Sequence, residues 1–421
     1  MTRRLRVALG AGILLLGIAA VALLLQSRGP GLAEARAFYA SQPEMLRPRP
    51  YARVPAGLPD LRAETCGGCH TEIYAEWRVS THARAWLDDA QFQAELHKND
   101  GVSGRDAGWI CVNCHTPLEN QLEELVVGLE DGHLGRPRRI KNPNYDPLLQ
   151  LEAITCAACH VGEDGVVLGP YGAANAAHAV RKAPELLTST ACTICHQAEA
   201  YFPDAEIGCA FNTAGELAEG PYRGRTCQSC HMPEVWRPLV AGKPARVTRR
   251  HWFGGSLIPK RPSDEAGLVP VRAHYPSGVA LTWSGSLTGV VAGASTELTF
   301  SATNEHAGHA VPTGDPERYL LLRAEVRDAQ GALLAEREER IGSVYQWKPL
   351  KVLSDNRLRP RESRSYTIKF QAPPKGEVVL LLRASKFRLS PENLAYHHLE
   401  GQAVAGRVYF EETRRVPIEA Q

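Results

Sequence analysis

Methionine is almost missing from this chain: only Met1, Met45 and Met232 stand among 421 residues. Aromatic residues make up just 7%, so large flat side chains that could fill a core are scarce. Neither sign of charge dominates, since 48 Lys and Arg face 46 Asp and Glu for a formal net charge of +2. No basic stripe with interleaved aromatics is present, which excludes nucleic acid as a partner. Cysteine is different: there are 11, and none follows Cys230.

Ten of those 11 cysteines fall into five copies of Cys-x-x-Cys-His. The copies are Cys66-Gly67-Gly68-Cys69-His70, Cys111-Val112-Asn113-Cys114-His115, Cys156-Ala157-Ala158-Cys159-His160, Cys192-Thr193-Ile194-Cys195-His196 and Cys227-Gln228-Ser229-Cys230-His231. This is the spacing of c-type haem attachment. Two thiols three residues apart share one side of a helical turn and can bond the two vinyl groups on one porphyrin edge. The following His is carried under the ring, where its imidazole can ligate the iron. Structural zinc wants four thiolate or imidazole ligands in a closed tetrahedron. That explains neither the His at the same place in all five motifs nor five pairs shared among four-ligand sites. A thioredoxin-like role needs one or two such motifs. The expected cofactors are five covalent haems c. Their propionates make the holoprotein more acidic than its sequence, and their rings supply the flat apolar surface that aromatics do not. Cys209 is left without a thiol partner and is read as a free or buried cysteine.

Each iron has a second axial position. Met1 and Met45 precede the haem region and Met232 abuts a proximal His, so distal Met is not expected and bis-His ligation with low potentials is. Fifteen His less the five in the motifs leave ten. His82, in Trp77-Arg78-Val79-Ser80-Thr81-His82, follows the first motif. His178 lies in the small-residue stretch 173–179. His251 stands between Arg249-Arg250 and Trp252-Phe253-Gly254-Gly255. His309 lies in Gly308-His309-Ala310-Val311-Pro312-Thr313-Gly314. These four are the expected distal ligands; His306, His397 and His398 are reserves for a fifth, and His97, His133 and His274 read as surface residues.

The chain opens with Arg3, Arg4 and Arg6, followed by an apolar run over residues 7–25. Basic residues before an apolar stretch direct export, and this run is long enough to span a bilayer as a helix. We expect an uncleaved N-terminal transmembrane anchor at 1–28, with the rest of the chain on the periplasmic side of a bacterial inner membrane. Cleavage near Ala33-Glu34-Ala35 is the alternative. Residues 29–62 read as a Gly/Pro/Arg-rich tether and 63–276 as a haem-packed, mostly helical or irregular domain with short helical patches such as 72–89 and 118–128. From 277 to 421 the texture changes to alternating β-branched and apolar runs: 278–284, 295–303, 319–328, 332–341, 363–371, 377–385 and 403–413. About seven such strands predict an immunoglobulin-like β-sandwich, so the fold class is α+β.

Several segments resemble the cytochrome c-554-like multihaem cytochromes of bacteria: Cys66-x-x-Cys69-His70 with Trp77-x-x-Ser80-x-His82, Cys111-Val112-Asn113-Cys114-His115-Thr116-Pro117, Thr155-Cys156-Ala157-Ala158-Cys159-His160-Val161, Cys227-Gln228-Ser229-Cys230-His231-Met232-Pro233, and Gly308-His309-x-x-Pro312-Thr313-Gly314. The resemblance spans residues 64–320. It implies that His82 and His309 are axial ligands. Ammonia-forming nitrite reductases attach one haem through Cys-x-x-Cys-Lys, which is absent here, and hydroxylamine oxidoreductases carry more haems. The expected function is therefore electron transfer, with a quinol-oxidising membrane complex or other cytochromes as partners. The alternative is a redox enzyme acting on a small nitrogen or sulfur compound at one haem with an open distal site. A docking role for the sandwich is compatible with either.

Overall fold

The computed structural model describes residues 30–98, 106–173, 175–284 and 288–420. The apolar run at 7–25, and with it the anchor expectation, lies outside them. Among the described residues no helix is long and apolar enough to cross a membrane.

Up to residue 276 the elements are short. The motifs sit on brief helices, Ala63–Gly67, Gly108–His115, Cys156–His160, Thr190–His196 and Cys227–His231, and four of these end at the motif His. Three two-stranded ribbons run between them and a fourth follows the last. They are β1 (Glu124–Leu129) with β2 (Pro137–Lys141), β3 (Val167–Gly169) with β4 (Val180–Lys182), β5 (Ala198–Phe202) with β6 (Ile207–Phe211), and β7 (Glu234–Pro238) with β8 (Ala245–Arg249).

Two expectations are corrected here. The patch at 118–128 is not helical: a 3-10 turn at Glu119–Gln121 leads into β1. Leu118, Leu122 and Leu125 fall at helical spacing, but the β-branched pair Val126-Val127 before Gly128 favours a strand, and pairing with β2 completes it. Residues 29–62 are not a loose tether. A helix at Pro30–Ser41 buries Ala35 and Tyr39 in a cluster with Trp109, Leu125 and Val126. The Tyr39 hydroxyl accepts from the Val126 N–H at 3.0 Å, and the Arg36 guanidinium reaches Glu119 at 3.1 Å. Apolar residues on one face of a short helix, hidden among Arg and Pro in the sequence, give this segment its docking surface. The patch at 72–89 is helical only at Thr71–Arg78 and breaks where Ser80 and Thr81 follow.

From residue 279 onward two sheets face each other. The strands are β9 (Val279–Ser284), β10 (Val290–Val291), β11 (Ser295–Asn304), β12 (Tyr319–Asp328), β13 (Leu333–Trp347), β14 (Leu350–Asp355), β15 (Ser363–Gln371), β16 (Glu377–Phe387) and β17 (Gly406–Glu419). One sheet has the order β10-β17-β16-β12-β13-β14, the other β15-β11-β9. Phe300, Leu322, Leu380, Leu382 and Ile341 fill the space between them, each from the inward face of an alternating strand. This half has an apolar core made wholly of side chains. β13 extends beyond the expected strand and pairs with β14, which was not expected. Their hairpin reaches back to the first half, where Leu350 packs over Gly208 and its carbonyl accepts from the Tyr201 hydroxyl at 3.1 Å.

If the Pro30–Ser41 helix is part of the folded body, Tyr39→Ala removes a buried ring and a hydrogen bond and lowers stability by about 3 kcal/mol. Chemical unfolding of the variant checks this; a change of under about 0.5 kcal/mol is what a loose tether gives.

Candidate functional site

One continuous cavity of about 2170 Å³ runs through the first half and reaches the sandwich. All ten motif cysteines and all five motif histidines line it, as do His82, His178, His251 and His309. His306 and His397 also touch it, whereas His97, His133, His274 and His398 do not.

The short helices fix where the sulfurs go. Cys66 adjoins Cys156, Cys114 adjoins Cys195, and Cys192 adjoins Cys227. Motifs one and three, two and four, and four and five are therefore neighbours, and Cys159 lies near enough to Cys192 to link the third motif to the fourth. Every motif thus has another beside it.

The imidazoles are arranged in pairs. His82 faces His196 with ring centres 6.1 Å apart, His160 faces His251 at 6.3 Å, and His231 faces His309 at 6.3 Å. Two imidazoles trans on one metal, with bonds of about 2 Å and half a ring added on each side, have centres about 6 Å apart. Their far nitrogens are tied down as well. Nδ1 of His70, His115, His160, His251 and His309 meets the carbonyls of Leu239, Ala85, Leu168, Arg249 and Ala310 at 2.8, 2.8, 2.9, 2.9 and 2.9 Å, and Nδ1 of His231 meets that of Gly254. A ring donating Nδ1–H to a carbonyl presents Nε2 as its free lone pair, the usual support of a metal-bound His. Burial lowers His82 to about 3 and His196, His251 and His309 to about 4, so these rings are neutral, the form that ligates. The donor set fits haem c.

Supporting residues hold the pairs. Glu76, 4% exposed, takes Arg237 at 2.7 and 3.0 Å, Arg250 at 2.5 Å and the His251 N–H at 2.8 Å. Phe253 packs against His82 and His251 with ring centres 4.2 and 5.6 Å away. The His309 loop is pinned by Asn304, whose amide donates to the carbonyls of His309 (2.9 Å) and Leu358 (3.0 Å), and by Glu216, which accepts from the Ala310 N–H at 2.9 Å. The sequence offered no local signal for Glu76 or Asn304, because their partners lie far along the chain.

The remaining candidates divide. His178 is exposed to the cavity and, among the described residues, forms no such ring pair with His70. His115 stacks on Phe92, ring centres 3.6 Å apart, and no second imidazole faces it among the described residues. His397 is engaged through Nε2 with Glu95 at 2.9 Å, His306 lies near Glu305 at 3.8 Å, and His398 is exposed. His133 caps its own turn and His274 stacks on Trp252.

Comparison with known proteins agrees with this geometry. The profile of the family described as Cytochrome c554 and c-prime matches residues 65–135. The crystal structure of a penta-heme cytochrome c552 from Thermochromatium tepidum shares the fold, with a TM-score of 0.57 at 19% identity over 86% of this chain and 100% of that one. Residues 65–135 are thus similar to this cytochrome family, and the chain shares the fold of a penta-heme cytochrome. A CARDB domain from Pyrococcus furiosus in complex with di-metal ions overlaps 34% of this chain and 87% of its own length at 14% identity, TM-score 0.19. WR4, an MSP family member of C. elegans, overlaps the same share and 100% of its own length at 9% identity, TM-score 0.19. No curated protein matches the chain.

Glu76 generates a test of its own. Glu76→Gln removes the carboxylate shared by the buried Arg237 and the half-buried Arg250, at a cost of about 3 kcal/mol, and weakens the hold on the His251 backbone. Unfolding should show the loss, and the low-spin EPR signal of one haem should shift in g-value. An unchanged spectrum at unchanged stability rules out the support role.

Proposed function

We propose that this cytochrome is a relay for electrons, carrying them through five covalent haems c on the periplasmic face of a bacterial membrane. The observation that carries the reading is the set of three imidazole pairs at 6.1–6.3 Å, two of which, His160–His251 and His231–His309, have the Nδ1 of both rings held by carbonyls. Haem c supplies a one-electron couple at each iron. In this reading Cys66/Cys69, Cys111/Cys114, Cys156/Cys159, Cys192/Cys195 and Cys227/Cys230 attach the rings, and His70, His115, His160, His196 and His231 are the proximal ligands. His82 serves the fourth haem, His251 the third and His309 the fifth; His178 serves the first from its place on the shared cavity. A neutral imidazole on both faces leaves no position for substrate, so such a haem exchanges electrons and nothing else. The paired motifs give the electron neighbouring sites to move between. The 7–25 run would anchor one end beside a quinol-oxidising complex, and another cytochrome would take electrons at the other.

A second reading is favoured by one observation. Among the described residues no second imidazole faces His115 at the spacing of the other three pairs. The second haem would then keep an exchangeable position, where a small nitrogen or sulfur compound could be transformed.

The deciding experiment counts haems by pyridine haemochrome, records low-temperature EPR of the oxidised protein, and adds carbon monoxide after reduction. Five haems with at least three low-spin centres are expected, and His309→Ala should convert one low-spin centre to high-spin. Fewer than five haems, or no spectral change in the His309 variant, contradicts the assignment. A gas-binding high-spin haem in the wild type selects the second reading.

A further inference from the structure

Strands β12 and β16 lie side by side, with Tyr319 opposite Phe387 and their rings stacked 4.6 Å apart. β12 begins at Tyr319 and β16 ends at Phe387, so Arg318 and Arg388 stand next to each other where both strands meet the first half. Lys260 joins them from that half. Asp89, which caps the Ala90–His97 helix, takes ion pairs from both Lys260 and Arg388. Arg318, Arg388, Lys260 and Asp89 all line the cavity that the five motifs share.

One carboxylate does not satisfy these cations. Nη1 of the buried Arg388 has no hydrogen-bond partner. The Arg318 side chain makes one bond, from Nη1 to the Thr313 carbonyl at 3.3 Å, and its Nε is buried without a partner. Among the described residues no carboxylate lies within ion-pair distance of Arg318. The three positive charges also act on one another, an arrangement that costs free energy unless anions join it. Burial, with the Arg388 charge, lowers Lys260 to about 8, and burial, with Asp315 nearby, pushes Glu317 up to about 8. At neutral pH three cations therefore face at most two ionised carboxylates, Asp89 and Asp315. Buried guanidinium nitrogens need acceptors, and their forked donors match a carboxylate. Haem c brings such acceptors into this cavity as its propionates. Two motifs are near: Lys260 and Arg388 act on His115, and Arg318 acts on His196.

We propose that Arg318, Arg388 and Lys260 seat the propionates of a haem held by the second or the fourth motif and raise the midpoint potential of that haem. The proposal rests on the reading above that haem c fills the cavity. It adds which side chains receive the propionates, and it gives the sandwich half a second role besides supplying His309. Cations held beside a propionate favour the ferrous form, which carries one positive charge less than the ferric.

The test uses the full holoprotein with Arg318→Gln and Arg318→Lys. Arg318 makes no ion pair, so its variants keep the fold; Arg388 is left alone because its loss takes one of the two cations from Asp89. Haems are counted by pyridine haemochrome, midpoint potentials are read by EPR-monitored redox titration, and the propionate bending band is followed by resonance Raman. Arg318→Gln should lower the potential of one haem by about a tenfold shift in its reduction equilibrium, ~59 mV for one electron. The propionate band should move with it, while haem count and the other potentials stay. Arg318→Lys, which keeps the charge, should restore most of the potential. Comparison with His82→Ala, which turns the fourth haem high-spin, tells the two sources apart: a shifting centre that is the one altered there owns its propionate to the fourth haem, and one that is not owns it to the second. Unchanged potentials and an unchanged band in Arg318→Gln, with all haems present, overturn the seat and leave the haem reading standing. Equal shifts in the Gln and Lys variants with an unmoved band also overturn it, since packing alone then accounts for Arg318. A wild type without haem removes the haem reading and the seat together.

Discussion

Volume is the constraint on which the rest of this structure depends. Protein interiors pack to crystal-like density and do not keep large voids. Between the helices and ribbons of residues 30–276 lies a cavity of about 2170 Å³, edged by the ten motif cysteines, their five histidines and the four further histidines expected as distal ligands. The side chains around it form only small apolar clusters, such as Leu61, Leu118 and Leu149 or Leu257, Leu268 and Val271. A chain of this kind closes only around something it holds covalently. In the proposed reading haem c answers that need twice, as the packing surface and as the group whose iron would be held by facing imidazoles. The short elements, the scarce aromatics and the low methionine count are consequences of that arrangement.

The second half is organised on the opposite principle. Phe300, Leu322, Leu380 and Leu382 make a core that needs no cofactor. What the sandwich gives the first half is position. The His309 loop leaves it toward His231, the β13–β14 hairpin clamps Gly208, and Arg388 and Glu317 reach the Ala90–His97 helix. The two halves are thus joined at a ligand, at a packing contact and at a buried ion-pair cluster.

What the sequence revealed follows from range. The Cys-x-x-Cys-His motifs are local and were legible outright. So were most strands of the sandwich, because alternation has a period of two and needs only a few residues to be read. That His82, His251 and His309 enter the cavity was partly legible from their surroundings, but which motif each faces was not: His196, His160 and His231 are distant in sequence and come together only through the fold. The helix at Pro30–Ser41 was missed because its apolar face is short and its partners, Trp109 and Val126, lie about seventy residues or more away. The cluster of Asp89, Lys260, Arg318 and Arg388 left no pattern at all, since each residue looks like an ordinary surface charge until four separate segments converge.

The most direct test of the haem-as-core account is hydrogen exchange on the protein made with and without haem attachment. The account expects residues 30–276 to lose amide protection without haem while β11, β12 and β16 keep theirs. Protection retained across the motif helices and ribbons in the haem-free chain would contradict it.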